Sequence, residues 1–320
     1  MTKKKKALIT GITGFAGSHL AELLLRESVD VYGIQRWRSK TENMEDIKDK
    51  VKIEEADLLD AHSLYSVIDK IKPDYIFHLA AQSFVQSSWA SPTQTLEVNI
   101  IGTAHLFEAV RKTDLPITIQ IACSSEEYGK VLPNEVPIKE TNPLRPLSPY
   151  AVSKLAMDYL GYQYHESYNM NIIRTRGFNH TGPRRGEVFA ESSFAKQIAE
   201  IEKGKREPVV HVGNLEAQRD YTDVRDMVRA YYLSVQKCEP GEVYNIATGT
   251  AWRINDVLKL LISMSKVKVE IKSDPARMRP SDVEILIGNN SKFVKQTGWQ
   301  PEIRFEKTME DLLNYWRENV

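Results

Sequence analysis

Short apolar runs, each followed by a stretch with apolar positions at helical spacing, dominate the chain as far as about residue 175. The first run, Ala7-Leu8-Ile9, predicts a strand, and residues 18–25 predict the helix after it. Residues 29–34, 51–56, 75–79 and 117–122 predict further strands, each leading into a helical pattern. A helix is expected to open at Pro149, since proline suits the first helical position and an Ala/Leu/Met-rich run follows. This repeated alternation implies an α/β fold with a parallel, doubly wound sheet, which collects ligands at the carboxyl ends of its strands. Later the pattern is less regular: a helix over 189–203, a short strand over 209–212, a turn over 219–226 leading into a helix, a strand over 243–246 and a helix over 254–264.

Composition narrows the class. At 320 residues and 42% hydrophobic the chain can bury a large core in two lobes, because single cores stop growing near about 250–300 residues. Lys+Arg 43 balances Asp+Glu 43, so no global field draws it to nucleic acid or to a membrane surface. The two cysteines, Cys123 and Cys238, are too few for a disulfide framework and match no metal spacing, which fits a reducing compartment. No run approaches the roughly 18 apolar residues of a membrane span.

Between the first strand and its helix stand Gly11, Gly14 and Gly17, spaced G-x-x-G-x-x-G. Strand, three glycines and helix let a backbone approach a pyrophosphate and put the anion at a helix N-terminus. The second strand ends in Gln35-Arg36-Trp37-Arg38-Ser39, where an NAD-binding chain often places an acidic residue. Arg36 and Arg38 suit the 2′-phosphate of NADP instead. Ala80 and Ala81 are small enough to let a cofactor lie close. The expected organisation is a Rossmann domain over residues 1–175, with segments near 215–247 returning to it, and a smaller interleaved C-terminal substrate lobe over 176–320.

The chemistry-bearing residues gather at two places. After the fifth strand comes Cys123-Ser124-Ser125-Glu126-Glu127-Tyr128-Gly129, where Ser124 can hold a hydroxyl and Glu126 puts a carboxyl at the same rim. Glu127 reads as solvated. Tyr150 and Lys154 stand four residues apart and so share a helix face, where a cation favours the phenolate of a group whose free pKa is about 10. Hydroxyl, phenol and ammonium are the parts needed to move an alcohol proton while a nicotinamide takes a hydride.

Five stretches carry a resemblance: Leu79-Ala80-Ala81-Gln82-Ser83, Ser124-Ser125-Glu126, Ser148-Pro149-Tyr150-Ala151-Val152-Ser153-Lys154, Phe178-Asn179-His180 and Gly182-Pro183-Arg184-Arg185-Gly186-Glu187. Along essentially its whole length the chain resembles the extended short-chain dehydrogenases/reductases that modify nucleotide sugars. Within them it is most similar to the GDP-mannose 4,6-dehydratase branch and its sister, the GDP-6-deoxy-4-keto-mannose reductases. The resemblance implies catalytic roles for Ser124, Glu126, Tyr150 and Lys154. It implies NADP contacts from Gly11, Gly14, Phe15, Ala16, Gly17, Arg36, Arg38, Asp57, Leu58, Leu79, Ala80, Ala81, Ser83, Tyr150, Lys154, His180 and Arg185. Substrate contacts fall on Ser83, Ser124, Glu126, Asn179, Arg219 and Arg279, the two last as guanidinium forks for a diphosphate. No metal is implied.

The reaction so implied is dehydration of a GDP-sugar, GDP-mannose, to its 4-keto-6-deoxy product by internal hydride transfer through NADP. An NADPH-consuming 4-keto reductase is the alternative, and a non-catalytic nucleotide sensor is opposed by the intact Ser124, Tyr150 and Lys154. In tetrameric dehydratases the loop corresponding to the one at Arg36 reaches a neighbour's cofactor, so the resemblance implies a cytoplasmic homotetramer, with a dimer as fallback. Some positions depart from the dehydratase pattern. Phe15-Ala16 stands where Gln-Asp is frequent, Ser124 where many members carry threonine, Ser192-Ser193 where a basic pair is usual, and residues 219–226 are more like the reductase. The Arg36-Trp37-Arg38 loop and residues 183–187 favour the dehydratase.

Overall fold

The computed structural model describes residues 4–278 and 283–320. Among these residues thirteen strands follow in chain order: β1 (Lys6–Thr10), β2 (Asp30–Gln35), β3 (Lys52–Glu55), β4 (Tyr75–His78), β5 (Thr118–Ser124), β6 (Asn171–Gly177), β7 (Asn179–Thr181), β8 (Val209–Val212), β9 (Gln218–Asp223), β10 (Val243–Ile246), β11 (Ala251–Arg253), β12 (Glu270–Ser273) and β13 (Ile285–Leu286). Seven of them form one sheet in the order β10-β6-β5-β4-β1-β2-β3. Every pairing in it is parallel.

A parallel sheet covered on both faces needs apolar side chains on both, and β1 supplies them. Leu8 packs on one side with Leu64, Ile68 and Phe107, whereas Ala7 and Ile9 pack on the other with Leu20, Leu24 and Tyr231. The first cluster draws on the Ala61–Ile71 and Gly102–Thr113 helices, and the second on the Phe15–Arg26 and Val224–Lys237 helices. From β1 the chain winds outward to β3, then returns to β4 on the far side of β1 and winds the other way. A crevice opens where that order reverses, between the carboxyl ends of β1 and β4.

The second half builds a third core, in which Phe194, Ile198, Leu258, Leu261, Met309 and Leu312 pack together. Two smaller sheets accompany it, one of β8 with β12 and one centred on β9. Residues 219–226 are a correction to the sequence reading, because β9 stands where a turn was expected. Its partners β7, β11 and β13 lie far off in the chain, and Arg-Asp-Tyr-Thr-Asp has no apolar alternation to announce a strand. β10 crosses back to become the seventh strand of the main sheet.

Candidate active site

A cleft of about 810 Å³ runs along the carboxyl edge of the main sheet. At one end lies the turn after β1. Gly11 has φ 72°, which favours glycine, and a Cβ there would lie 2.9 Å from the Ala80 Cα. A Cβ on Gly17 would lie 2.2 Å from the Gly11 carbonyl oxygen. The Phe15–Arg26 helix that follows has neither a side-chain N-cap nor an acidic residue in its first turn. Its first N–H groups therefore keep no side-chain acceptor and suit a diphosphate. Asp57, Leu58, Leu79, Ala80, Ala81 and Ser83 line the adjoining wall, and Arg36 reaches the same space. Arg38 does not line it. With φ 62°, its guanidinium lies over the Trp37 ring, 4.1 Å from the centroid.

At the other end, the Pro149–Tyr168 helix starts against β5. Ser148 caps it by accepting the Ala151 N–H at 3.1 Å, and Pro149 fills the first position. Tyr150 and Lys154 are therefore in its first turns, both buried. Lys154 donates from Nζ to the Ala122 carbonyl at 2.7 Å, with Nζ 5.9 Å from the Tyr150 ring centroid. Burial lowers the Lys154 pKa from its ordinary value. Burial raises that of the Tyr150 phenol, while a hydrogen bond with Ser124 and the charge of Arg185 act in the opposite direction. Ser124 Oγ accepts the Glu126 N–H at 3.2 Å, which leaves its own hydrogen to donate to the phenol. Glu126 is half-buried at the cleft wall.

Between the two ends, Phe15, His180, Arg185 and Phe189 form a stack. The His180 and Phe15 rings are parallel within 6° at 5.9 Å, and burial pushes the imidazole pKa down to about 4. The Arg185 guanidinium lies 5.1 Å from the Phe15 centroid and 3.4 Å from that of Phe189, with Glu191 at 3.5 Å. Asn179 and Arg219 also line the cleft. Arg219 is nearly fully buried and donates from Nη1 to the Val283 carbonyl at 2.6 Å. Arg279 lies outside the described residues.

Comparison with known proteins gives this geometry a family. The family model described as GDP-mannose 4,6 dehydratase matches residues 8–312. The chain belongs to the GDP-mannose 4,6-dehydratase family. A GDP-mannose 4,6-dehydratase of Vibrio cholerae is 35% identical over 354 aligned positions, covering 97% of this chain and 94% of the relative. A GDP-6-deoxy-D-mannose reductase of Pseudomonas aeruginosa is 31% identical over 316 positions, covering 99% and 98%. Among solved structures, RMD from Pseudomonas aeruginosa complexed with NADPH superposes with a TM-score of 0.85 at 29% identity, covering 99% of this chain and 100% of that one.

Family membership does not account for everything at the site. Glu127, expected to be solvated, is fully buried and accepts the Ser124 N–H at 2.8 Å. The Ser124-x-x-Glu127 spacing is that of a capping box, a local signal that ties this carboxyl to the turn after β5 and that the sequence reading did not use. Arg277 also lines the cleft, donating from Nη1 to Ser193 Oγ at 3.0 Å, so a guanidinium stands beside a serine expected to occupy a basic position. Nothing in its local sequence sets Arg277 apart from other arginines.

Proposed function

We propose that this protein is an NADP-dependent GDP-mannose 4,6-dehydratase, and the observation that carries the reading is the meeting of Glu126 with Ser124, Tyr150 and Lys154 at one cleft wall. The uncapped helix start and the glycine contacts fit the diphosphate of NADP, Arg36 its 2′-phosphate, and the Phe15–His180–Arg185 stack a planar or anionic part of a ligand. Bound NADP supplies a nicotinamide that accepts a hydride and gives it back, so no cofactor is consumed overall. The protein's own work is proton movement. Tyr150, favoured as its phenolate by the Lys154 charge, takes the proton of the C4 hydroxyl, which Ser124 orients. A 4-ketone acidifies the C5 hydrogen. Glu126 removes that proton and delivers one to the C6 hydroxyl, which leaves as water. When C6 receives the hydride back, Tyr150 gives its proton to C5, which forms the product and restores the phenolate.

Residues 1–175, with the returning segments near 215–247, form the cofactor half in this reading, and residues 176–320 hold mainly the GDP-sugar. Arg219 and Arg279 take its diphosphate, and Asn179 and Ser83 a sugar hydroxyl. The Arg36-to-Asn43 loop crosses to a neighbour in a homotetramer, with a dimer as the simpler assembly. The setting is cytoplasmic. Among the described residues no helix is long and apolar enough to cross a membrane.

One observation favours a second reading, a GDP-4-keto-6-deoxymannose reductase. The reductase relative aligns nearly end to end over 316 positions, whereas the alignment with the dehydratase runs to 354 positions, more than the 320 residues of this chain, so that relative carries stretches this chain lacks. Incubation with GDP-mannose and NADP decides between them. A 4-keto-6-deoxy product, with deuterium from C4 arriving at C6, supports the dehydratase. Turnover only of a supplied 4-keto sugar, with loss of NADPH absorbance, supports the reductase. In the dehydratase reading Glu126→Gln keeps substrate binding and loses product release, and near-normal dehydration by that variant removes Glu126 from the mechanism.

A further inference from the structure

Directly beneath the cleft wall, Glu127 and Asp158 are both fully shielded from solvent. Glu127 Oε1 accepts the Ser124 N–H at 2.8 Å. Glu127 Oε2 lies 3.2 Å from Arg176 Nε, but that N–H is directed at Asp158 Oδ2, 2.7 Å away, so Oε2 receives no hydrogen bond from it. Arg176 Nη1 serves the Tyr128 hydroxyl at 3.1 Å and the Glu140 carbonyl at 3.2 Å, and Arg174 serves Asp158 and the Gly241 carbonyl. The Asp158 carboxyl lies beside that of Glu127, with oxygens of the two groups within 4.8 Å, and Glu127 Oε2 is a buried oxygen that receives no hydrogen bond. Carboxylates only accept, so a hydrogen bond between the two requires a proton on one of them.

From this geometry we infer that Glu127 is a positioning residue for Ser124 and acts as a neutral acid, its Oε2–H donated to Asp158 while Oε1 accepts from the serine backbone. The inference rests on the reading that Ser124 orients a substrate hydroxyl. Asp158 belongs to the same helix as Tyr150 and Lys154, so the acid pair ties the serine at the end of β5 to the helix that carries the phenol. Burial pushes the Glu127 pKa well above the ordinary carboxyl range, with the Asp158 charge adding to it and Arg176 opposing it. Other titratable neighbours are Cys123, whose Sγ lies within 4.8 Å of both carboxyls, the Tyr150 phenol, and the cations Lys154 and Arg174. At this Cys-Glu-Asp group Arg176 faces both carboxyls and Arg174 pairs with Asp158 alone.

Two substitutions and one spectrum test this. Glu127→Gln preserves both contacts, an amide oxygen for the Ser124 N–H and an amide N–H for Asp158, and should keep kcat within about twofold, whereas Glu127→Ala should lower kcat by about 10- to 100-fold with KM little changed. NADP retention should be unchanged in both. Ala-variant activity equal to wild type overturns the positioning role, and a Gln variant as impaired as the Ala variant overturns the neutral acid. Should the Ala variant fail to fold, the infrared difference between wild type and Glu127→Gln at neutral pH still decides. The carbonyl stretch of a protonated carboxyl is expected there, and its absence overturns the inference. That spectrum needs no turnover, so it stands even where wild-type protein fails to dehydrate GDP-mannose.

Discussion

The two ends of the cleft are built by different physics. At the glycine turn the proposed NADP site is made of backbone, and the requirement is the absence of side chains: no Cβ on Gly11 or Gly17 and no cap on the helix that follows. At the catalytic end everything depends on side chains that β5, β6 and the Pro149–Tyr168 helix bring together over buried charges. The first end is written in seven consecutive residues. The second is assembled from residues up to about fifty apart, so it can lose function either at the reacting groups or in the ion pairs below them.

The largest effect that should separate the ends is that of Tyr150→Phe. Losing the proton-transfer group should lower kcat by about 100- to 10,000-fold. NADP affinity, measured by fluorescence titration, should stay near normal because the glycine turn is untouched. An equal loss of affinity would join the ends into one unit.

Below the phenol, Asp158→Asn tests the buried charges. Asp158 pairs with both Arg174 and Arg176, at the floor of the site, and removing one partner of a buried pair costs about 3–5 kcal/mol. Urea unfolding at neutral pH should show a loss of that size. A loss under about 1 kcal/mol, the range of an exposed pair, would place these charges in contact with water.

The two ends are also joined, and acid should weaken the joint. Thr10, just before Gly11, bonds His78 Nδ1 at 2.8 Å, and His78 Nε2 bonds Thr103 Oγ1 at 3.0 Å. Thr103 donates to the Asn99 carbonyl, Asn99 donates to Ser153 Oγ, and Ser153 donates to the Tyr150 carbonyl. Since the Thr103 hydrogen is given to Asn99, Nε2 must be the protonated nitrogen of a neutral imidazole. Burial, aided by the Lys154 charge, pushes the His78 pKa from 6.5 down to about 3. Between those values the unfolded chain binds a proton that the folded chain does not, so this group makes stability fall as pH drops from 6.5 toward 3. The slope should reach at most about 1.4 kcal/mol per pH unit. His78→Gln, which can still donate to one threonine and accept from the other, should flatten urea midpoints plotted against pH across that window.

How much of this the sequence carried follows the same division. The glycine spacing, the strand ends and the Tyr150–Lys154 pair were readable because each is local and periodic, and the structure puts those residues on one cleft. Glu127 was misread because a glutamate in a polar turn is ordinarily solvated, and its burial depends on Asp158 and Arg176, 31 and 49 positions further along. The strand β9 was read as a turn for a related reason, since three distant partners supply its hydrogen bonds. Arg277 and the His78 thread gave no local sign, because each acts only through contacts that folding creates.

The smallest expected effects concern the two arginines of the exposed loop, which sequence spacing treats alike and the structure separates. Arg36 lines the cleft, so Arg36→Gln should reduce the preference for NADP over NAD by about tenfold, the scale of one charged hydrogen bond. Arg38 stacks on Trp37 away from its own chain's cleft, so within a single subunit Arg38→Ala should change NADP affinity by less than about twofold. A tetramer changes that expectation in a measurable way. If the loop crosses to a neighbour, Arg38 meets the other subunit's cofactor, and its substitution weakens binding at concentrations where light scattering shows the assembly. Dilution to single subunits then removes the difference between Arg38→Ala and wild type while leaving that of Arg36→Gln in place. A loss from Arg38→Ala that persists in the dilute monomer would mean that Arg38 turns into its own cleft once NADP is bound.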